Sequence, residues 1–220
     1  MAIQSGGALR QRLFESYDQP AQRLVVTPLL DPEKQVREGE ASIDLRLGVR
    51  FTVRRRGKLS EIDTNDPQVD VRFASAQHTY YVPIGSSFVL HPDYFVLAET
   101  LEYLRLPEDL AGYVVTRSSW GRHGLVIATA IGVHPGYCGV LTLELRNLAD
   151  VPLRLYPGRR ILQFFLHDVI RLPGEKRKSP STYEGGTRLS SGLLASERDE
   201  MDAISRFADW DKYPPKSLAQ

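Results

Sequence analysis

Between residues 24 and 169 the apolar side chains come in short runs, alternating with polar ones or unbroken, and Pro or Gly punctuates the runs. Alternation at a period of two is the mark of a strand with one buried face. Strands are predicted over 43–53, 79–82, 87–90, 94–99, 113–116, 125–129, 140–146, 153–156 and 161–169. Many short strands at this spacing indicate a closed or sandwiched all-β domain, not a parallel sheet with crossover helices. Helical spacing is confined to the ends. Leu9, Leu13 and Phe14 share one side of a short helix over 8–16, and Met201, Ile204 and Phe207 make a stripe within 195–208. The chain thus divides into an N-terminal helical or capping segment (1–23), a β domain (24–170) and a tail (171–220) rich in Lys, Arg, Ser, Gly, Glu and Asp, expected to be mobile.

Charge and cysteine content narrow the function. The 220 residues carry 28 Lys and Arg against 27 Asp and Glu, so no electrostatic excess favours a nucleic acid polymer or a membrane surface. Any polyanion must be bound locally. A single cysteine, Cys138, excludes an internal disulfide and suits a reducing compartment; its expected role is packing in a tight turn. No window is apolar enough to span a bilayer, and a cytoplasmic protein is expected. The basic run at 54–58 is expected to be a solvated hairpin tip.

Two segments concentrate chemistry. Arg117, Ser118, Ser119 and Arg122 place two guanidinium forks and two hydroxyls within six residues, a donor density suited to phosphate oxygens. Further on, a turn rich in glycine leads into 140–146, where Leu141, Leu143 and Leu145 face one way and Val140, Thr142, Glu144 and Arg146 the other. Glu is disfavoured in strands, so its place here asks for a reason beyond structure.

The stretch 117–124, the turn and strand 134–147 and the later Tyr156-Pro157-Gly158-Arg159-Arg160-Ile161-Leu162-Gln163 resemble the dCTP deaminase branch of the trimeric dUTPase superfamily. Ala41-Ser42-Ile43-Asp44-Leu45-Arg46-Leu47-Gly48 and the segment 90–100 with Leu106-Pro107-Glu108 resemble its first core strand and its middle section. The likeness covers residues 24–169, with an echo near Tyr183. It implies a dUTPase-like β-clip, or distorted jelly-roll barrel, with short terminal helices. It further implies a homotrimer with sites shared between subunits, and deamination of dCTP to dUTP and ammonia.

Zinc deaminases use His-x-Glu and Pro-Cys-x-x-Cys elements. This chain has neither, since none of its five His residues is followed two positions later by Glu. A route without zinc requires a carboxylate that takes a proton from water and returns it, and the resemblance assigns this to Glu144, with partial burial expected to raise its pKa. By the same likeness Ser118 and Arg122 hold the water, the carboxylate and the phosphates, while the backbone at Thr129 and Ala130 orients the water. Substrate contacts are expected from Arg117, Ser118, Ser119, Arg122, Thr129, His134, Tyr137, Thr142, Glu144, Gln163 and, in the closing tail, Tyr183. Tyr137 has packing as its alternative role. No metal is expected on protein ligands; Mg²⁺ would arrive with the triphosphate.

His134 stands where a dUTPase has its water-activating Asp, and Glu144 where it has an apolar residue, so the deaminase is favoured. A bifunctional deaminase–dUTPase and a catalytically weak nucleotide-binding regulator are the alternatives. Gly132 replaces a basic residue and Gly186 a Gln of the family pattern. The stretch before Gln77 reads as an insertion, and the tail as a lid over the nucleotide. dTTP is a further possible ligand.

Overall fold

The computed structural model describes residues 2–15, 23–55, 58–127, 132–170 and 185–188. Among these residues eleven strands and four short helices follow in the order α1 (Gly6–Phe14), β1 (Val25–Thr27), α2 (Pro32–Gln35), β2 (Ile43–Arg54), α3 (Val69–Ser75), β3 (Gln77–Tyr81), β4 (Phe88–Leu90), β5 (Phe95–Arg105), β6 (Leu110–Thr116), α4 (Ser118–Gly121), β7 (Leu125–Ile127), β8 (Gly132–Val133), β9 (Cys138–Asn147), β10 (Leu153–Leu155) and β11 (Arg160–Asp168). The main sheet runs β7-β9-β5-β2-β11-β6-β8, with β1 also on β5 and β3 also on β2; β10 and β4 form a separate pair. The strand pairs whose register is defined are antiparallel throughout. The all-β expectation therefore holds, and each predicted strand appears within a few residues of its place.

Where the pattern fell short, the reason is physical. β5 reaches Arg105 because Glu99, Thr100 and Glu102 are buried polar residues inside it, and their polarity broke the alternation. A register irregularity between Glu99 and Tyr103 leaves room for their bonds. The Thr100 hydroxyl donates to Glu102 O at 2.8 Å and accepts from Leu141 N–H at 3.0 Å. The Glu102 carboxylate accepts from Arg46 N–H at 2.8 Å and Gln35 Nε2 at 2.9 Å. Burial outweighs these bonds and pushes its pKa up to about 7.

The core is the other face of the same strands. Leu141, Leu143 and Leu145 of β9 pack with Ile43, Leu45 and Leu47 of β2, Ile161, Leu162, Phe164 and Leu166 of β11, and Leu9 and Leu13 of α1. Each such side chain contributes about 1.5–3 kcal/mol by leaving water. Ser5 caps α1 by accepting from Ala8 N–H. Phe14 does not join Leu9 and Leu13: it is exposed, with the Arg10 guanidinium over its ring at 5.8 Å. Phe14 stands five positions after Leu9, a spacing that turns it away from the buried stripe.

By contacts the chain forms two units, Met1–Val53 with Thr79–Ser190 and Arg54–His78 with Ser191–Gln220. The expected hairpin tip at 54–58 is wider than a turn. Arg54, Arg55 and Lys58 are exposed, but the chain goes on to build α3 before Ala76 O accepts from Arg55 N–H at 2.8 Å. The predicted helix over 195–208 lies outside the described residues.

Candidate active site

β6 ends at Thr116 and the chain turns at once into α4. Arg117 opens that turn: its N–H donates to Ile161 O at 2.9 Å, which ties it to β11, and its carbonyl accepts from Trp120 and Gly121 N–H. Gly124 then reverses the chain into β7 at φ +87°, with Ala149 N 2.6 Å from where a Cβ would stand. Only glycine meets both conditions without strain. Thus the serine pair is held between two sheet strands, although the pair itself is exposed.

Arg117, Ser118, Ser119 and Gln163 line one cavity of about 450 Å³ together with Arg37, Glu40, Ser42 and Phe165. Gln163, on β11, reaches it beside β2 and donates from Nε2 to Ser42 Oγ at 3.3 Å. Behind the cavity lies Asp44, 1% exposed, with Arg160 at 3.0 Å, Arg117 at 3.4 Å and Arg37 at 3.8 Å from Oδ2. Burial pushes the Asp44 carboxyl up, against the pull of those three guanidinium groups. Its Oδ1 is buried without a hydrogen bond among the described residues. Arg37, Ser42 and Asp44 were given no site role by the sequence, because a strand-to-strand approach is what brings them beside the serine loop. The available clue was the pair of Arg residues at 159 and 160 with no acidic neighbour nearby in sequence.

Glu144 occupies a different place. It faces away from the leucines on β9, paired with Leu97 of β5, and is half-buried. Among the described residues it makes no hydrogen bond or ion pair, and desolvation by burial raises its pKa. β5 and β2 stand between β9 and β11 in the sheet, and Glu144 does not line the Arg117–Gln163 cavity. Thr142 is half-buried on the same face, two residues away. Arg122 is exposed at the end of α4, and its N–H donates to Ser118 O at 3.0 Å. His134 is exposed at the turn after β8 and accepts from Tyr137 N–H through its carbonyl at 3.1 Å.

Tyr137 takes the packing role. It is 8% exposed within the core, and its hydroxyl donates to Val140 O at 2.8 Å, so its ring packs in the turn. Cys138 likewise packs, its Sγ 2.6 Å from the Tyr103 hydroxyl. Thr129, Ala130 and Tyr183 lie outside the described residues. Just after Tyr183, however, Gly186 O accepts from Val140 N–H at 3.0 Å and Gly185 N–H donates to Cys138 O at 2.5 Å. A piece of the tail therefore lies along the strand that carries Glu144. Among the described residues, no three or more His, Cys, Asp or Glu side chains converge as a metal site would require, and no helix is long and apolar enough to cross a membrane.

A family model described as dCTP deaminase-like matches residues 10–169. A dCTP deaminase of Natronomonas pharaonis is 38% identical over 202 residues, covering 90% of this chain and 97% of that protein. A dUMP-forming dCTP deaminase of Methanobrevibacter smithii is 36% identical over 176 residues, with 80% and 84% covered. The crystal structure of 2′-deoxycytidine 5′-triphosphate deaminase from Agrobacterium tumefaciens superposes with a TM-score of 0.53 at 25% identity, covering 74% of this chain and 47% of that one. The present chain thus spans about half the length of that structure. The partly buried carboxylate on β9, the Arg-Ser-Ser loop beside Gln163 and the extent of these matches lead to one statement: the chain belongs to the dCTP deaminase-like family.

Proposed function

We propose that this protein hydrolytically deaminates dCTP to dUTP and ammonia, with Glu144 as the proton-transfer group. The observation that carries this reading is Glu144 itself, a carboxylate on the polar face of a core strand, with no partner among the described residues and its pKa raised by burial. A surface Glu would be paired or fully solvated. A raised pKa suits a group that must accept a proton and give it back near neutral pH.

As the water oxygen bonds to cytosine C4, Glu144 takes one proton and delivers it to ring N3. The proton of the new hydroxyl then passes through the same carboxylate to the amino group, the C4 carbonyl forms, the C–N bond breaks and ammonia leaves. Ser118 and Arg122 would hold the water and the carboxylate, with the backbone at Thr129 and Ala130. Arg117, Ser119 and Gln163 would bind the phosphates in their shared cavity. Thr142 and His134 are assigned to the nucleoside end, and Tyr183 to the closing tail. Mg²⁺ would come with the triphosphate, held by its oxygens and water; in the cavity the carboxylate Glu40 is already paired with Arg37 at 3.0 Å.

Within one chain Glu144 does not line the serine-loop cavity, which supports a site completed between copies of a homotrimer. A substrate drawn from free deoxynucleotides would place the protein in the cytoplasm. One observation favours a second reading: relatives from Methanobrevibacter smithii and Dictyoglomus turgidum are named as dUMP-forming, which would add hydrolysis of dUTP. His134 in place of a water-activating Asp argues against it. Ammonia release from dCTP, assayed beside pyrophosphate release from dUTP, decides the matter. Ammonia alone supports the deaminase, both products the bifunctional enzyme, and nucleotide binding with neither product a regulator.

A further inference from the structure

A second concavity, of about 330 Å³, shares Arg117 with the serine-loop cavity, but neither Ser118 nor Ser119 lines it. Its wall is unusual in charge: Lys34 from α2, Arg46 from β2, Arg117, and Arg159 and Arg160 at the start of β11 all line it, with Asp31 and Trp120. Among the described residues, the carboxylates within ion-pair distance of these cations are Asp31, 2.9 Å from Lys34, and Asp44, at 3.0 Å from Arg160 and 3.4 Å from Arg117. The Arg46 guanidinium is held by neutral acceptors, Gly158 O at 2.8 Å and Gln35 Oε1 at 3.2 Å. The Arg159 guanidinium has no hydrogen-bond or ion-pair partner among the described residues.

Five cations facing two carboxylates repel one another, and that repulsion is relieved when an anion enters. Three of the five, Arg46, Arg117 and Arg160, are held by the fold. Arg160 is fixed by Lys34 O at 2.6 Å as well as by Asp44. Trp120 Nε1 donates to Arg160 O at 3.1 Å, which braces the wall from α4. Guanidinium groups already placed lose less side-chain freedom when they bind, and their forks match phosphate oxygens in pairs.

We propose that this cleft is a second anion site, distinct from the serine-loop cavity, for a diphosphate group. An occupant would compete for Arg117, which lines both cavities, so its binding and that of a nucleotide in the serine-loop cavity oppose each other, by the same factor in either direction.

The test is calorimetric titration of the full chain with inorganic pyrophosphate, in Arg159→Ser and Lys34→Ser, both exposed and outside the serine-loop cavity, and in Ser119→Ala. Each of the first two variants is expected to weaken one class of pyrophosphate binding at least tenfold, with thermal unfolding unchanged, while Ser119→Ala leaves that class intact. Binding unaltered in both variants, binding lost only with Ser119→Ala, or no pyrophosphate bound by the unaltered chain would each overturn the proposal. ADP as a second probe separates the sources: affinity equal to pyrophosphate assigns a nucleotide-borne diphosphate, and binding of pyrophosphate alone assigns the free ion. Since turnover is not measured, the outcome stands whether or not the chain deaminates dCTP.

Discussion

Two of the three carboxylates with raised pKa values, Glu144 and Glu102, occupy opposite situations. Glu144 is half-buried with no partner among the described residues, whereas Glu102 is sealed between Arg46 N–H and Gln35. Replacing Glu144 by Gln keeps the shape but removes the proton acceptor, so kcat for ammonia release should fall by about 10²–10⁴-fold while nucleotide binding, followed by calorimetry, survives. Near-native turnover would remove Glu144 from the mechanism. Glu102 makes a prediction about stability. Its folded pKa of about 7 lies above the ordinary value of 4.5, so between those pH values the folded chain holds a proton that the unfolded chain has released. Stability therefore falls as pH rises from 4.5 to 7. Denaturant titrations across that window should show the decline, and Glu102→Gln should flatten it; an unchanged slope would assign it to other groups.

Among the elements, the β6–α4–β7 connection does most to place the candidate site. Gly124 carries its reversal at positive φ, with backbone of Ala149 in the way of any side chain. Gly124→Ala should cost about 1–3 kcal/mol of stability from backbone strain, read as a lower denaturation midpoint, and should raise the KM for dCTP through displacement of Arg117 to Ser119. A variant with native stability would show that the turn can relax. β9 is the other positioning element. Its leucines anchor one face in the core, so Glu144 on the opposite face is aimed by the packing of its neighbours.

For the whole molecule, the proposed division of the site between copies has a consequence that a site within one chain lacks. Glu144→Gln and Ser118→Ala, each inactive alone, should regain activity when unfolded and refolded together, because some sites then combine an intact Glu144 from one chain with an intact Ser118 from another. Random mixing would restore roughly a quarter of sites in a cyclic oligomer. No recovery would place both residues of a site in the same chain. Gly185 and Gly186 of the tail bond to Cys138 and Val140. Removing residues 171–220 should raise the apparent KM for dCTP, and unchanged kinetics would dismiss a lid.

The sequence by itself determined the class of fold, the polar face of β9 and the Arg-Ser-Ser loop, because each depends on neighbours in the chain: alternation, turn residues and local donor density. It misjudged Phe14, shortened β5 and left Tyr137 with two roles, since burial against distant strands decides those. Only the tertiary structure brought Gln163 and Arg37 to the serine loop, set Asp44 behind it and gathered Lys34, Arg46 and Arg159 around a second cleft. These groupings join β2, β11 and two short helices that are remote in sequence, and the charge at such a site is a sum over strands that pattern along one chain does not contain.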